Sequence, residues 1–524
     1  MKGKKIASSL AAVLMLTGVL SACSSSNNAN GGNTGSSNTP STSTNSGGVD
    51  TSKEAKLTYY LWGSEGVTNK DILAEINKKL KADLNTTLEI KYIDWGDVAT
   101  KYPLLFASGE SFDLSHASPG APVSYYTLAT EGALTDITDM LDKVAPKLKA
   151  EIPESSWQNT KVDGKIYGVP SLFSEYTPAG YAYRTDLLKK YGMTEIKTID
   201  DMVKYMDNVV ANESFPPING KAEDAQNMYR MLVDTTGMWL NAPGISLNEL
   251  NLVTKSPEDY KTVFHPAFTQ EFEDWAVKMR EWGDKGYWGK DVLSASLGSK
   301  DNFRAANSAG YLTHAQDWIG QYGGDIKALP NSPTAFYTFA EANKKIKRKM
   351  GVDNSTVISA NSSNPERSLM VIEKFMTDES YYNLMQYGIE GKHYVIEDGV
   401  KKQPAGFNEK TDGGGFSAWS LRNDKFVIPS DTENPVRKDL FAAWDKEAID
   451  DPYNGFSFDP ANVTTEIASI SNVNAQLGIQ LMLGKTNKDP KTAVAEYRDQ
   501  LKKAGVDKVI AEVEKQLAEF TPVN

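Results

Sequence analysis

Residues 57–116 read LTYYLWGSEGVTNKDILAEINKKLKADLNTTLEIKYIDWGDVATKYPLLFASGESFDLSH, and this stretch decides the fold. Leu57–Trp62 is a strand-like run followed by a loop from Gly63 to Thr68. Thr68 then opens a helix, with Asp71 at the capping-box position three residues on. Ile72, Leu73, Ile76, Leu80 and Leu84 share one face of that helix at helical spacing. Leu88–Trp95 is the next strand, its Leu88, Ile90 and Tyr92 alternating with Glu89 and Lys91. Val98–Ser108 reads as helix and Phe112–His116 as a short third strand. Strand, helix, strand, helix, strand predicts a mostly parallel sheet covered on both faces. Ligands of such sheets lie beyond the carboxyl ends of the strands, and Trp62 and Trp95 stand at two of those ends.

Outward from this stretch, strand and helix keep alternating and the chain ends in helix. Ser363-Asn364-Pro365 caps a helix with proline near its first position, and Leu369, Ile372, Phe375 and Met376 form its inward stripe. Val509, Ile510, Val513, Leu517 and Phe520 repeat the pattern near the C-terminus. Lys344–Lys349 (KKIKRK) is the one basic cluster and reads as a solvated face.

With 524 residues the chain is too long for a single core, and two large lobes fit its length. Its 56 basic and 68 acidic side chains give a net charge of −12. An acidic chain without dense basic runs is unsuited to nucleic acid, whose affinity comes from cations on phosphate. A single cysteine excludes an internal disulfide framework and an iron–sulfur cluster.

That cysteine has its own context. Lys2, Lys4 and Lys5 precede the apolar run Ile6–Leu20, 15 residues long, which is short of the roughly 20 needed to span a bilayer. This is a secretory signal. It ends in Leu20-Ser21-Ala22-Cys23, which resembles a bacterial lipobox. The resemblance implies cleavage before Cys23 and a diacylglycerol on its sulfur, the one covalent group expected; no other cofactor and no metal are. Cleavage removes three lysines, leaving 53 basic against 68 acidic side chains, a net −15. Of the 27 residues Ser24–Asp50, 23 are Ser, Asn, Gly or Thr. Such a segment has nothing to bury and acts as a flexible tether with a reach of about 30 Å.

Enzyme signatures are absent: there is no HExxH, GxSxG or GxGxxG. Gly484-Lys485-Thr486 has the tail of a phosphate loop, but Ile479 stands where its upstream glycine belongs. His116, His265, His314 and His393 are too scattered to suggest a shared metal. Aromatics are the remaining chemistry. The chain has 24 Tyr and 10 Trp against 18 Phe. Tyr and Trp each carry a polar handle needing a partner, which suits a cleft for sugars, whose C–H faces stack on rings. Trp62, Trp95, Trp239, Trp318 and Trp419 sit at predicted strand ends or loops beside polar residues.

From Lys56 onward the sequence resembles the family 1 extracellular solute-binding proteins, the group containing maltose-binding protein. It is most similar to their long, lipid-anchored Gram-positive members. Leu105–Leu114 (LFASGESFDL) resembles the family's "ASGD-PD" turn, with Glu110 for Asp and Phe112 for Pro. Val162–Pro170 (VDGKIYGVP) and Tyr183–Leu188 (YRTDLL) are similar to "DGKIYGLP … YNKDLL", with Arg184 for the usual Asn. Asn364–Ser368 (NPERS), Tyr387–Tyr394 (YGIEGKHY) and Asn454–Asp459 (NGFSFD) resemble the long subgroup and its C-terminal domain of unknown function.

The resemblance implies an α/β, two-lobed periplasmic-binding-protein-like fold of type 2. Each lobe would be a mostly parallel sheet flanked by helices, with the ligand cleft at the hinge. The expected organisation is a signal peptide over 1–22, the lipidated Cys23 and tether over 23–52, lobe 1 over 53–182, lobe 2 over 183–354, a return to lobe 1 over 355–395, and a helical region mainly of lobe 2 over 396–524. Carried over by position, Trp62 and Glu65, then Ser118 and Pro119, would face ligand. Tyr311–Trp318 (YLTHAQDW) resembles the family's "GPW" strand and loop and makes Trp318 a candidate. Tyr181 at the lobe exit, Trp95, Trp239 and Trp419 complete the set. The implied function is an anchored, monomeric binding protein on the extracellular face of a Gram-positive membrane. It would hand an oligosaccharide to two permease subunits driven by a cytoplasmic ATPase. Capture of a peptide or other polar solute is the alternative, and a surface glycoside hydrolase a third.

Overall fold

A computed structural model describes residues 49–239, 250–344, 346–349, 351–416, 418–456 and 458–522. The signal segment, Cys23 and the tether up to residue 48 lie outside the described residues. The first sheet forms where the opening stretch predicts it. Strand β1 (Ala55–Trp62), helix α1 (Asn69–Leu84), strand β2 (Thr86–Ile93), helix α2 (Val98–Ala107) and strand β3 (Leu114–Ala117) follow in order. β1 lies between β2 and β3 and is parallel to both, with Tyr59 opposite Ile90 on one side and Leu114 on the other. Leu57, Tyr59 and Leu61 face inward against Ile72, Ile76, Leu80 and Leu84 of α1, all at most 1 % exposed. The capping box is not made. The Thr68 hydroxyl instead contacts His393 Nε2 at 2.9 Å and donates to the Gly413 carbonyl, so a later segment takes the oxygen the helix end would have used.

β4 (Gly168–Pro170) closes the far edge of the first sheet, and β5 (Ala179–Arg184) begins the second. A Cβ on Gly168 would lie 2.8 Å from the Tyr125 ring, so only glycine lets this strand approach. The second lobe adds α3 (Ala225–Thr236), α4 (Gln270–Lys285), β6 (Gly310–His314), α5 (Ala315–Ala328) and β7 (Thr334–Thr338). β8 (Ser355–Ile358) then returns to the first sheet between β3 and β4, antiparallel to both.

Two expectations need correction here. The second sheet is not mostly parallel: β5 runs antiparallel to both of its neighbours, β6 and β7. β6–α5–β7 is the parallel crossover the sequence suggests, but β5, arriving from the other lobe, inserts between its strands. The lobe boundary read at 182/183 also falls inside β5, so the crossing is the segment 171–178 before it.

α6 (Pro365–Thr377) and α7 (Glu379–Tyr387) cover the first sheet, and Leu369, Ile372, Phe375 and Met376 are buried as the stripe predicts. The chain after Tyr394 stays with the first lobe longer than expected. Phe416, Ala418 and Leu421 share its core; Thr432 then reaches Gly323 of α5, and α8 (Arg437–Glu447) packs with second-lobe residues such as Trp318. α9 (Pro490–Lys503) lies on α4, and α10 (Val506–Glu519) packs beside α9, both within the second core. In the KKIKRK segment Lys344 is exposed in a loop, while the later cations are half-buried and paired: Lys347 with Asp451, Arg348 with Asp445 and Asp450, and Lys349 with Glu175. No helix among the described residues is long and apolar enough to cross a membrane.

Candidate functional site

Strand direction aims both lobes at one place. In the first sheet the carboxyl end of β3 pairs with the start of β8, Ala117 opposite Ser355. In the second, the carboxyl ends of β6 and β7 pair with the start of β5, His314 opposite Ala179 and Thr338 opposite Gly180. The starts of β5 and β8 adjoin the crossing segments. The ends where α/β sheets hold ligands therefore converge on the hinge from both sides.

On the first lobe these ends carry aromatic rings. Trp62 is the last residue of β1, and Gly63, at φ +121°, turns the chain away behind it. Trp95 opens the turn after β2 and is 55 % exposed. His116 is the third residue of β3. Trp419 arrives from far along the chain. Its neighbour Ser420 is buried and accepts from the Thr356 hydroxyl at 2.7 Å, which pins the segment to β8. The Trp62 ring meets His116, Tyr102 and Trp95 edge to face, at 4.7, 5.2 and 6.1 Å. Trp419 lies 5.2 Å from Trp95, tilted by 39°. Trp95 and Trp419 thus form an open aromatic face, backed by Trp62 and His116.

The cluster is uncharged. Burial pushes the His116 imidazole down to about 3, and the nearby Lys349 and Arg422 add to the effect, so the ring is neutral at physiological pH. Among the described residues, neither His116 Nδ1 nor Trp62 Nε1 has a hydrogen-bond partner, although both are buried. Each such group costs about 1–3 kcal/mol, a burden a purely structural core would avoid.

The other candidates separate. Glu65 is exposed in the loop after β1. Ser118 uses its hydroxyl to accept from Gly120 N at 3.1 Å, and Pro119 is buried beside it, so the two shape the loop after β3. Two candidates are corrected. Tyr181 is fully buried in the second core, its hydroxyl donating to the Pro217 carbonyl at 3.0 Å. Trp318 is buried too, donating to Thr334 Oγ1 at 2.9 Å and stacked on Phe336 at 5.1 Å. The reason is helical phase. His314 is the N-cap of α5 and accepts from Asp317 N, which starts the helix at Ala315 and turns Trp318 onto the sheet. Trp239 is 4 % exposed and donates to Asp451 Oδ1 at 3.2 Å, and it forms part of a cavity wall on the second lobe.

Sequence reading missed the floor of the hinge. Glu175, in the first crossing segment, accepts from Asn354 Nδ2 at 3.0 Å and from Arg422 at 3.2 Å, and lies 3.8 Å from Lys349. Arg422 also sits 4.1 Å above the Phe173 ring. No local motif marks these residues, because they meet only when the crossings lie side by side. Arg230 and Asp234 were missed as well, although their i, i+4 spacing was there to be read.

The sequence profile of the bacterial extracellular solute-binding proteins matches residues 65–377, and that of DUF3502, a domain of unknown function, matches residues 452–522. The chain belongs to the bacterial extracellular solute-binding protein family. Its members bind solutes and are not enzymes. Among curated relatives, a carbohydrate ABC transporter substrate-binding protein of Streptococcus pneumoniae serotype 4 is 26 % identical over 485 residues, covering 90 % of this chain and 92 % of that protein. The fructooligosaccharide ABC transporter substrate-binding protein FusA of the same organism is 30 % identical over 148 residues, which is 25 % of this chain and 27 % of FusA. Among solved structures, the N-glycan transport solute-binding protein NgtS from Streptococcus pneumoniae aligns over 89 % of this chain and 99 % of its own, with a TM-score of 0.72 and 21 % identity. The solute-binding protein family and its two-lobed architecture fit the geometry of converging strand ends.

Proposed function

We propose that this protein is the extracellular, lipid-anchored receptor of an ABC importer for an oligosaccharide. It binds the sugar at the hinge with Trp95 and Trp419 as the stacking face, and passes it to two permease subunits driven by an ATPase. The observation that carries this reading is the convergence of Trp62, Trp95 and Trp419 from three separate segments onto the ligand end of the first sheet. A neutral His116 behind them keeps the face apolar. The ligands of its relatives, carbohydrate and fructooligosaccharide, and of its structural neighbour, an N-glycan, support the substrate class. Cys23 and the polar segment after it supply the anchor and the tether.

Sugar touching both lobes stabilises the closed form by the difference in its affinity for the closed and open forms. Ring stacking supplies part of that difference, and hydrogen bonds to hydroxyls set the specificity. Isothermal titration against Man5GlcNAc, 1-kestose and maltotriose tests the proposal, with tryptophan emission as a second signal. Trp95→Ala and Trp419→Ala should each raise Kd about tenfold or more, the effect of losing an anchor worth over ~1 kcal/mol. Wild-type affinity in both variants would refute the assigned face.

A further inference from the structure

The second lobe holds a cavity of ≈ 100 Å³ that the aromatic face does not use. One ordered water needs only about 10–15 Å³ by the same measure, so there is room for polar groups of a ligand. Thr177 and Ala179 line it where β5 leaves the hinge, Arg230 and Asp234 line it from α3, and Trp239 and Lys347 complete the wall. It therefore lies at the carboxyl ends of β6 and β7, on the hinge side of its lobe.

Its charges are unevenly satisfied. Lys347 pairs with Asp451, which also accepts from Trp239 Nε1. Arg230 is different: its guanidinium is deep enough for burial to lower its pKa, and it makes no hydrogen bond or ion pair with any described residue. Asp234, one helical turn on, feels Arg230 without forming a close pair with it. Burial pushes its carboxyl up to about 7, opposed by Arg230 and by the Ala179 backbone N–H. The cavity is within electrostatic reach of the hinge: Arg230 and Lys349 both act on His314, and Lys349 also acts on His116.

A guanidinium offers donors only, and a carboxylate accepts. Adjacent hydroxyls of a pyranose answer both at once, because each oxygen accepts and each O–H donates. An acidic sugar would satisfy Arg230 but set its carboxylate against Asp234. We propose that this cavity is a second subsite, on the second lobe, which binds vicinal hydroxyls of a neutral sugar with Arg230 donating and Asp234 accepting. The inference rests on the carbohydrate reading above and deepens it: the first lobe would read ring faces, the second hydroxyl edges. A ligand held at both would bridge the hinge.

The test titrates the full chain near pH 8, where Asp234 is mainly ionised, with Man5GlcNAc, 1-kestose, maltotriose and trigalacturonate. Variants Arg230→Gln, Asp234→Asn and Trp95→Ala are carried beside wild type, and melting curves check that each is folded. Arg230→Lys and Asp234→Glu stand in for any variant that is not. The expected result is that a neutral sugar binds best and that the Arg230 and Asp234 variants each weaken it at least tenfold. Loss in Trp95→Ala alone would overturn this subsite and leave the carbohydrate reading standing. Tightest binding of trigalacturonate would overturn the preference for neutral sugar. Absence of binding to every sugar by wild type would overturn both this inference and the reading beneath it.

Discussion

A tryptophan at the end of a strand and one a turn inside a helix look alike in sequence, yet they differ in what surrounds them. Trp62 ends β1, where the sheet stops and the ring is left to side chains arriving from elsewhere. Trp318 follows an N-cap at His314, so helical phase delivers it to the sheet. The strand-end signal was therefore legible for Trp62 and Trp95, whereas Trp318 and Tyr181 needed the local register. The histidines carry a consequence for pH. Burial holds His116 and His265 down at about 3 and His314 at about 4, against about 6.5 in an unfolded chain. Above 6.5 both states are neutral and these groups contribute nothing to pH dependence. Below it the unfolded chain takes up protons that the folded one refuses, so stability falls as pH drops toward 3–4. Each histidine contributes a slope of about 1.4 kcal/mol per pH unit inside its window. Urea midpoints between pH 7 and pH 5 should fall with acid, and His116→Gln should flatten that fall by one histidine's share. Identical slopes in the two proteins would mean that His116 is not held neutral.

Helices α1 and α6 were legible because their apolar stripes alone determine which face is buried. The antiparallel insertion of β5 was not, since no local pattern records which strand a distant segment will join. Its closeness leaves traces at Gly180, where a Cβ would strike the Tyr337 carbonyl and the Phe336 ring, and at Gly310, where one would strike the Ala182 carbonyl and the Tyr181 ring. The C-terminal helices tell a related story. Residues 452–522 match a domain of their own, yet Val494, Tyr497, Leu501, Val509, Val513 and Leu517 are at most 1 % exposed in the same core as Phe272 and Met279 of α4. Six such side chains, at about 1.5–3 kcal/mol each, amount to on the order of 10 kcal/mol. That is comparable to the whole stability of a typical protein, about 5–15 kcal/mol. A chain ending at Lys488 should therefore lose cooperative unfolding of the second lobe and bind the dye ANS at neutral pH. Retention of the wild-type melting transition would instead make this region a separable appendage.

At the scale of the molecule, two lobes and a hinge were legible from the β-α-β rhythm and the family resemblance, but the crossings were displaced. The reasons are physical: the first crossing is extended chain that precedes a buried strand, and the third continues along the first lobe as far as the Arg422 region before leaving it. Glu175 is where the crossings meet. Backbone bonds tie Leu172 to Arg422 and Ser171 to Asn354, at 2.9 and 3.0 Å, and the Glu175 carboxylate joins Asn354, Lys349 and Arg422 across all three segments. Its side chain is only 12 % exposed and that of Arg422 16 %. Removing one partner of a pair this deep leaves an uncompensated charge, a loss of about 3–5 kcal/mol, whereas replacing both with apolar groups is often neutral. Glu175→Gln should accordingly lower stability by about 3 kcal/mol, and adding Arg422→Met should restore most of it, a coupling that a double-mutant cycle by urea denaturation reads directly. Arg422 Nε also donates to the Trp419 carbonyl at 3.2 Å, so the double variant should bind sugar more weakly than wild type even where its stability is restored. Additive losses in the cycle would show that the crossings are held by their backbone bonds and that the carboxylate is incidental.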